Sequence, residues 1–176
     1  MESENKNIKI STYSASNIAN YMLACSFIEK IPLTPMKLIK LVYIAYGWGL
    51  VFLNQKLFNE DIEAWQYGPV IPSIYHEFKR FGKEPIDELS ISMNEMTGDL
   101  SVNRIDLKEG DDISKLLNLV WRYYRNYSAI ELSDLTHQEG SPWFNAVKNN
   151  GYRSVLSDDE IIAWEGKVIE DYMNKN

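Results

Sequence analysis

The chain has 176 residues, 45% of them hydrophobic, and a formal net charge of −7. One sizeable core is within its reach whereas two would each be small, so a single domain over 1–176 is expected. That acidity excludes the basic face of a phosphate-backbone binder, so no nucleic-acid partner is expected. The only cysteine, Cys25, excludes an internal disulfide. Among Met22, Leu23 and Phe27 it reads as a buried thiol in a reducing, cytoplasmic setting.

The first residues, Met1 to Asn7, lack the basic start and apolar core of a signal peptide, and 1–12 is read as a disordered tail. Ser14 or Ser16 caps a first helix with Ile18, Tyr21, Met22, Cys25 and Ile28 on one face, ended by Ile31-Pro32. Thr34-Pro35 then supplies an N-cap and a proline at N1. From Met36 to about Leu53 nearly every position is apolar, as in a helix buried on all sides. Its uncharged run from Leu41 falls short of the roughly 20 residues of a spanning helix, so no membrane insertion is expected. Gly47 and Gly49 each weaken a helix by about 1 kcal/mol relative to alanine. They are expected to admit another backbone or to bend the helix near Trp48.

From Asp61 to Gly82 the pattern changes to a strand, a kink and a helix. Ile62 and Ala64 alternate with polar neighbours, Trp65 and Tyr67 follow, and Gly68-Pro69 is expected to end the strand. Pro72 starts a helix with Ile71, Ile74, Tyr75 and Phe78 on one face, and Gly82 stops it. The span 83–110 is polar and less regular. Leu89, Ile91 and Met93 alternate with polar residues, and Thr97-Gly98-Asp99 suits a turn, so 89–107 reads as either a hairpin or a partner-specific loop.

A second central helix carries Ile113, Leu116, Leu117, Val120, Trp121, Tyr124 and Tyr127 on one face. Ser128 caps a short helix through Leu135, and Ser141-Pro142 starts another that ends at Gly151. Ser157-Asp158-Asp159-Glu160 is a capping box for a last helix, with Ile161, Trp164, Val168 and Tyr172 as its buried stripe. The fold class is therefore mainly α with a small β element, a compact helical domain around two central helices, with a short strand or hairpin at about 62–67.

Catalysis finds no support in this pattern. His76 and His137 have no metal-ligand spacing around them, and nucleophile elbows and phosphate-cradling glycine loops are absent, so no catalytic residue, metal or cofactor is expected. An enzyme using His137 with Glu139 or Glu77 is the least favoured class. The pairs Lys79-Arg80 and Arg122/Arg125 read as solvated helix faces. The helix after Ser141 has only Lys148 as a basic residue, too little for a DNA-reading helix. Aromatic and polar groups carried on turns are the better candidates for partner contact. They are Trp65, Tyr67, Gly68, Pro69 and Pro72, with His137 and Trp143 from the loop 136–143.

Met36-Lys-Leu-Ile-Lys-Leu-Val-Tyr-Ile-Ala-Tyr-Gly-Trp48, then Ile62-Glu-Ala-Trp-Gln-Tyr-Gly-Pro-Val70 and Ile74-Tyr-His-Glu-Phe78, resembles the Panacea domain of SocA-like antitoxins, a family that includes phage-associated GepA-type proteins. Leu132-Ser-Asp-Leu-Thr-His137 and Ser141-Pro-Trp143 resemble its second signature, and the likeness spans about 15–173. The resemblance implies a mainly helical bacterial or phage antitoxin that neutralises the toxin of an adjacent gene by direct protein contact. It names neither the toxin nor a catalytic set. The alternative it leaves open is an adaptor that delivers the partner to a cytoplasmic protease. The acidic charge speaks against transcriptional self-repression, and the oligomeric state stays open.

Overall fold

The computed structural model describes residues 8–10, 13–105 and 111–173. Among them the order is α1 (Ala15–Glu29), α2 (Pro35–Leu53), β1 (Glu63–Trp65), β2 (Gly68–Val70), α3 (Pro72–Phe78), β3 (Ile91–Met93), β4 (Leu100–Val102), α4 (Asp112–Tyr124), α5 (Ala129–Thr136), α6 (Pro142–Asn150) and α7 (Asp158–Met173). The fold is mainly α with a small β element, as its sequence predicts. Five of the helices, α1, α2, α4, α5 and α6, start where a short polar side chain takes up a free backbone N–H, whereas α3 starts at Ile71 without one. Ser14 and Asn17 form a reciprocal capping box on α1, Ser128 and Glu131 another on α5. Thr34 and Ser141 cap α2 and α6, each with proline at the first turn.

Helix α2 is the centre. Leu38, Leu41, Val42 and Ala45 are wholly buried, and α1, α4, α5 and α7 all pack on it. By length and apolarity it would pass as a membrane span, yet most of it is covered by these neighbours. Its own lysines, Lys37 and Lys40, are buried too. Each fully buried aliphatic side chain contributes roughly 1.5–3 kcal/mol, so the helix is held by packing rather than by propensity. Helix α4 is the second apolar layer, with Ile113, Leu116, Leu117, Val120, Trp121 and Tyr124 buried and Tyr127 packed at the edge. On α1 the buried face runs through Ile18, Ala19, Met22 and Leu23. Ile28, placed on that face by spacing alone, is instead 81% exposed, while Cys25 is only partly buried.

The expected strand and kink is a complete hairpin. The chain reverses at Gln66-Tyr67, ahead of Gly68-Pro69, and β2 returns antiparallel to β1 with Trp65 opposite Gly68 and Ala64 opposite Pro69. A proline survives in this strand because Ala64 looks the other way. Its N–H donates to Ser154 O at 2.9 Å and its carbonyl accepts from Arg153 N at 2.7 Å. The missing N–H of Pro69 therefore leaves no ladder bond unmade. Residues 153–156 thus run beside β1, with Leu156 N donating to Ile62 O at 2.8 Å.

The second hairpin, β3 with β4, falls inside the expected 89–107, of which 106 and 107 lie outside the described residues. Buried Asn20 roots it, donating to Ser90 O and Asn103 O and accepting from Ser90 N at 2.7 Å. Of the predicted tail, 1–7 and 11–12 lie outside the described residues. Lys9 is tied down: its N–H donates to Asn54 O at 3.0 Å and its carbonyl accepts from Lys56 N at 2.9 Å.

Helix α7 differs most from expectation. Its buried positions are Ile161, Glu165 and Ile169, whereas Trp164 and Val168 are only partly covered, and the Tyr172 side chain lies outside the described residues. The cause is Gly47. A Cβ there would stand 2.6 Å from Glu165 Cγ and 3.3 Å from Ile161 Cγ2, so the glycine admits side chains of α7 rather than a backbone. Gly49 admits both the Leu57 side chain and, as expected, a backbone, with Gln55 O 3.1 Å from an added Cβ. Burial pushes the Glu165 carboxyl up to about 8. Trp48 alone offsets that shift, and its buried indole N–H finds no hydrogen-bond partner of normal geometry.

Glu165 makes stability depend on pH. Its folded value of about 8 lies above the ordinary 4.5, so between those limits the native state holds a proton that the unfolded chain has lost. Stability then falls as pH rises through that window. Glu165→Gln keeps the neutral shape and removes the titration. Urea unfolding should show wild type and variant similar at pH 5, and the variant more stable at pH 8.5 by on the order of 3 kcal/mol. Parallel pH profiles would refute a buried, proton-binding Glu165.

Candidate partner-binding site

The β1–β2 hairpin is held from several sides at its turn. Trp143 Nε1 on α6 donates to Trp65 O at 2.7 Å, Ser133 Oγ on α5 to Tyr67 O at 3.3 Å, and Lys40 Nζ on α2 to Pro69 O at 2.9 Å. Gly68 makes this approach feasible. It has φ +102°, and a Cβ would lie 2.5 Å from Lys40 Nζ and 3.0 Å from Thr136 Oγ1. The turn backbone is thus fixed while the Tyr67 side chain, 64% exposed, projects from it.

His137 and Trp143 come together with the hairpin, and both are partly buried against it. Nδ1 of His137 donates to Ser133 O at 2.8 Å, and the imidazole meets the Trp143 ring edge-on with centroids 4.2 Å apart. That contact orients the indole which holds Trp65 O. Trp65 is half-buried: its Nε1 donates to Glu63 Oε2 at 2.7 Å and its ring meets Tyr75 at 4.8 Å. Gly68 and Pro69 are buried, and Pro72 is partly covered at the start of α3. Of the seven sequence candidates Tyr67 is exposed, Trp65, Pro72, His137 and Trp143 are each partly buried, and Gly68 and Pro69 are buried.

Beside the hairpin opens a groove of about 750 Å³ between α2, β1–β2, α3 and the 152–153 loop. The sequence reading missed most of its lining: Lys40, Tyr75, Lys79, Tyr152 and Arg153. Arg153 is a non-glycine residue at φ +69°, and its guanidinium lies 4.5 Å from the Trp65 ring centre, a cation–π distance. Such a backbone setting persists only where surrounding bonds enforce it, here the pairing of 153–154 with Ala64. Lys40 is 1% exposed at the floor, and burial lowers its amine from 10.5 to about 7. A lysine inside an apolar helix is the one signal in the sequence that marks this floor. The Lys79-Arg80 pair, read as a solvated face, contributes Lys79 to the groove.

The β3–β4 arm is a second exposed surface. Ile91, Met93 and Leu100 are 54%, 62% and 66% exposed on one face, with Ser92 and Ser101 paired on the other. Among the described residues no cluster of His, Cys, Asp or Glu suits a metal ion.

Two glycine variants test how tightly the hairpin is clasped. Gly82 also has positive φ, +58°, but nothing within 4 Å of an added Cβ. Gly82→Ala thus carries strain alone, about 1 kcal/mol, while Gly68→Ala adds a collision with Lys40 and Thr136 and should lose about 2 kcal/mol more in urea unfolding. Equal losses would mean that the clasp gives way freely.

Comparison with known proteins agrees with this architecture. The family model for the SocA-like antitoxin, Panacea domain, matches residues 38–144, from within α2 to α6, and so includes both the hairpin and α5. Antitoxin SocA of Caulobacter vibrioides (strain NA1000 / CB15N) is 30% identical over 129 residues, 73% of this chain and 68% of the relative. No solved structure gives a significant match. With the family model covering 38–144, which takes in most of the first signature and all of the second, and with the Caulobacter vibrioides relative 30% identical, the chain belongs to the SocA-like antitoxin family with a Panacea domain.

Proposed function

We propose that this protein is an antitoxin that neutralises the toxin of an adjacent gene by direct contact, through the hairpin and the groove beside it. Membership of the SocA-like family supports the antitoxin role, and the similar protein from Caulobacter vibrioides is itself an antitoxin by name. The contact surface rests on one observation. Tyr67 projects from a turn whose backbone is bonded to α2, α5 and α6, so a partner meets a group whose position is already set. Binding then orders little on this side, which favours affinity. An exposed tyrosine beside a half-buried tryptophan is also the composition of an interface hot spot.

No reaction is assigned to the chain: family membership suggests a role in binding, with the cytoplasm as its setting. Delivery of the toxin to a protease is the alternative outcome that the experiment must separate. The test is co-expression with the neighbouring gene product, scoring growth, soluble complex and toxin half-life. Rescue with a stable complex and an unchanged or longer half-life is expected. Rescue with a shortened half-life would replace neutralisation by delivery, and a mass change in the toxin would replace it by modification.

Tyr67→Ala should weaken the complex at least tenfold, a cost of about 1.4 kcal/mol or more, in a titration of purified components. Its thermal midpoint should stay close to wild type because the ring is largely in solvent. His137→Ala should weaken binding less, by loosening Trp143. Full affinity in Tyr67→Ala would move the contact surface elsewhere.

A further inference from the structure

The groove reverses the charge of the molecule around it. The chain carries −7 overall, yet the groove is lined by Lys40, Lys79 and Arg153 with no aspartate or glutamate among its described lining residues. Lys40 lies at the floor and Lys79 and Arg153 are exposed at the rim. Between them stand the rings of Trp65, Tyr67, Tyr75 and Tyr152. The Lys40 amine is bonded to Pro69 O beneath the hairpin, so it lends positive potential to the floor while Lys79 and Arg153 are the cations open to a ligand. A volume of about 750 Å³ suits a few residues of extended chain rather than a single ion.

We infer that this groove receives an acidic segment of the toxin in which carboxylates alternate with apolar side chains, an inference resting on the antitoxin reading above. Carboxylates pair with the rim cations Lys79 and Arg153, above the positive charge of Lys40, while apolar groups lie on the ring faces. Charge of opposite sign steers the encounter as well as fixing the segment's register. A bound carboxylate also offsets the desolvation that holds Lys40 near neutrality at pH 7. A nucleic-acid strand fits less well, because it would continue past the groove over a surface of net negative charge.

The experiment titrates the full chain with the neighbouring toxin at 50 and 300 mM NaCl, using wild type, Lys79→Glu, Arg153→Glu and, as a distant control, Lys115→Glu on α4. Both groove variants should weaken binding at least tenfold at low salt and flatten its salt dependence, with the control unchanged. Lys79→Glu guards against a trivial effect of Arg153 on the Trp65 ring. Unchanged affinity in both groove variants would overturn the inference. A wild type that does not bind the toxin would sink the antitoxin reading instead, and a fluorescent octapeptide alternating Glu with Phe or Leu then decides the groove. It should bind wild type, lose affinity in both groove variants, and outcompete both its Lys-for-Glu counterpart and a decameric single-stranded DNA; failure on any of these overturns the inference.

Discussion

The arrangement of the helices depends on α2 having no face left for water between Lys37 and Leu50. A helix buried on all sides cannot select neighbours by a single apolar stripe, so shape and charge at particular turns decide what lies where. Gly47 and Gly49 are hollows that take Glu165 and Leu57, and Lys40 is a protrusion that the hairpin must close over. Loss of a large side chain from this helix, such as Leu41, would open a cavity that all its neighbours share, at about 2–5 kcal/mol.

The same burial places two ionisable groups, Lys40 on α2 and Glu165 against it, where neither is comfortable as an ion. Their effects on stability have opposite sign. Lys40 has a folded value of about 7 against an ordinary 10.5, so the unfolded chain binds more protons in that window and stability rises with pH across it. Glu165 works the other way between about 4.5 and 8. Taken together, these two groups give their smallest stabilisation near pH 7 to 8, where the chain would function in a cell. Such conflicts between local rule and global fold concentrate at working sites, and Lys40 is one of the residues at the floor of the groove.

What could be read in advance follows from the range of the interaction responsible. Caps act over a few residues, so Thr34-Pro35, the Ser128 box and the Ser141-Pro142 start are plain in the sequence. The apolar face of α4 is equally plain, being periodic. The Gly68-Pro69 strand is not, because its tolerance for proline depends on Ala64 pairing with residues 153–154, far along the chain. The stripe of α7 is misread for a similar reason: spacing favours Trp164, while the hollow at Gly47 takes Glu165. In the site, Trp65 and Tyr67 stand out as turn-borne aromatics. Tyr152, Arg153 and Lys79 do not, since only that distant strand pairing brings them to one groove.

His137 and Trp143 show why a residue type that suggests function can serve it indirectly. The imidazole Nδ1–H is used on Ser133 O and its ring packs in an edge-to-face pair with Trp143, whose indole N–H is used on Trp65 O. The Nδ1–H and the indole N–H in that series are both spent on the backbone beneath or beside the hairpin, which helps to fix it. A turn of this kind, if left to itself, would sample many conformations and lose them on binding. Here the ordering occurs during folding, so the entropy cost falls on the protein's own stability rather than on any later binding event at the turn.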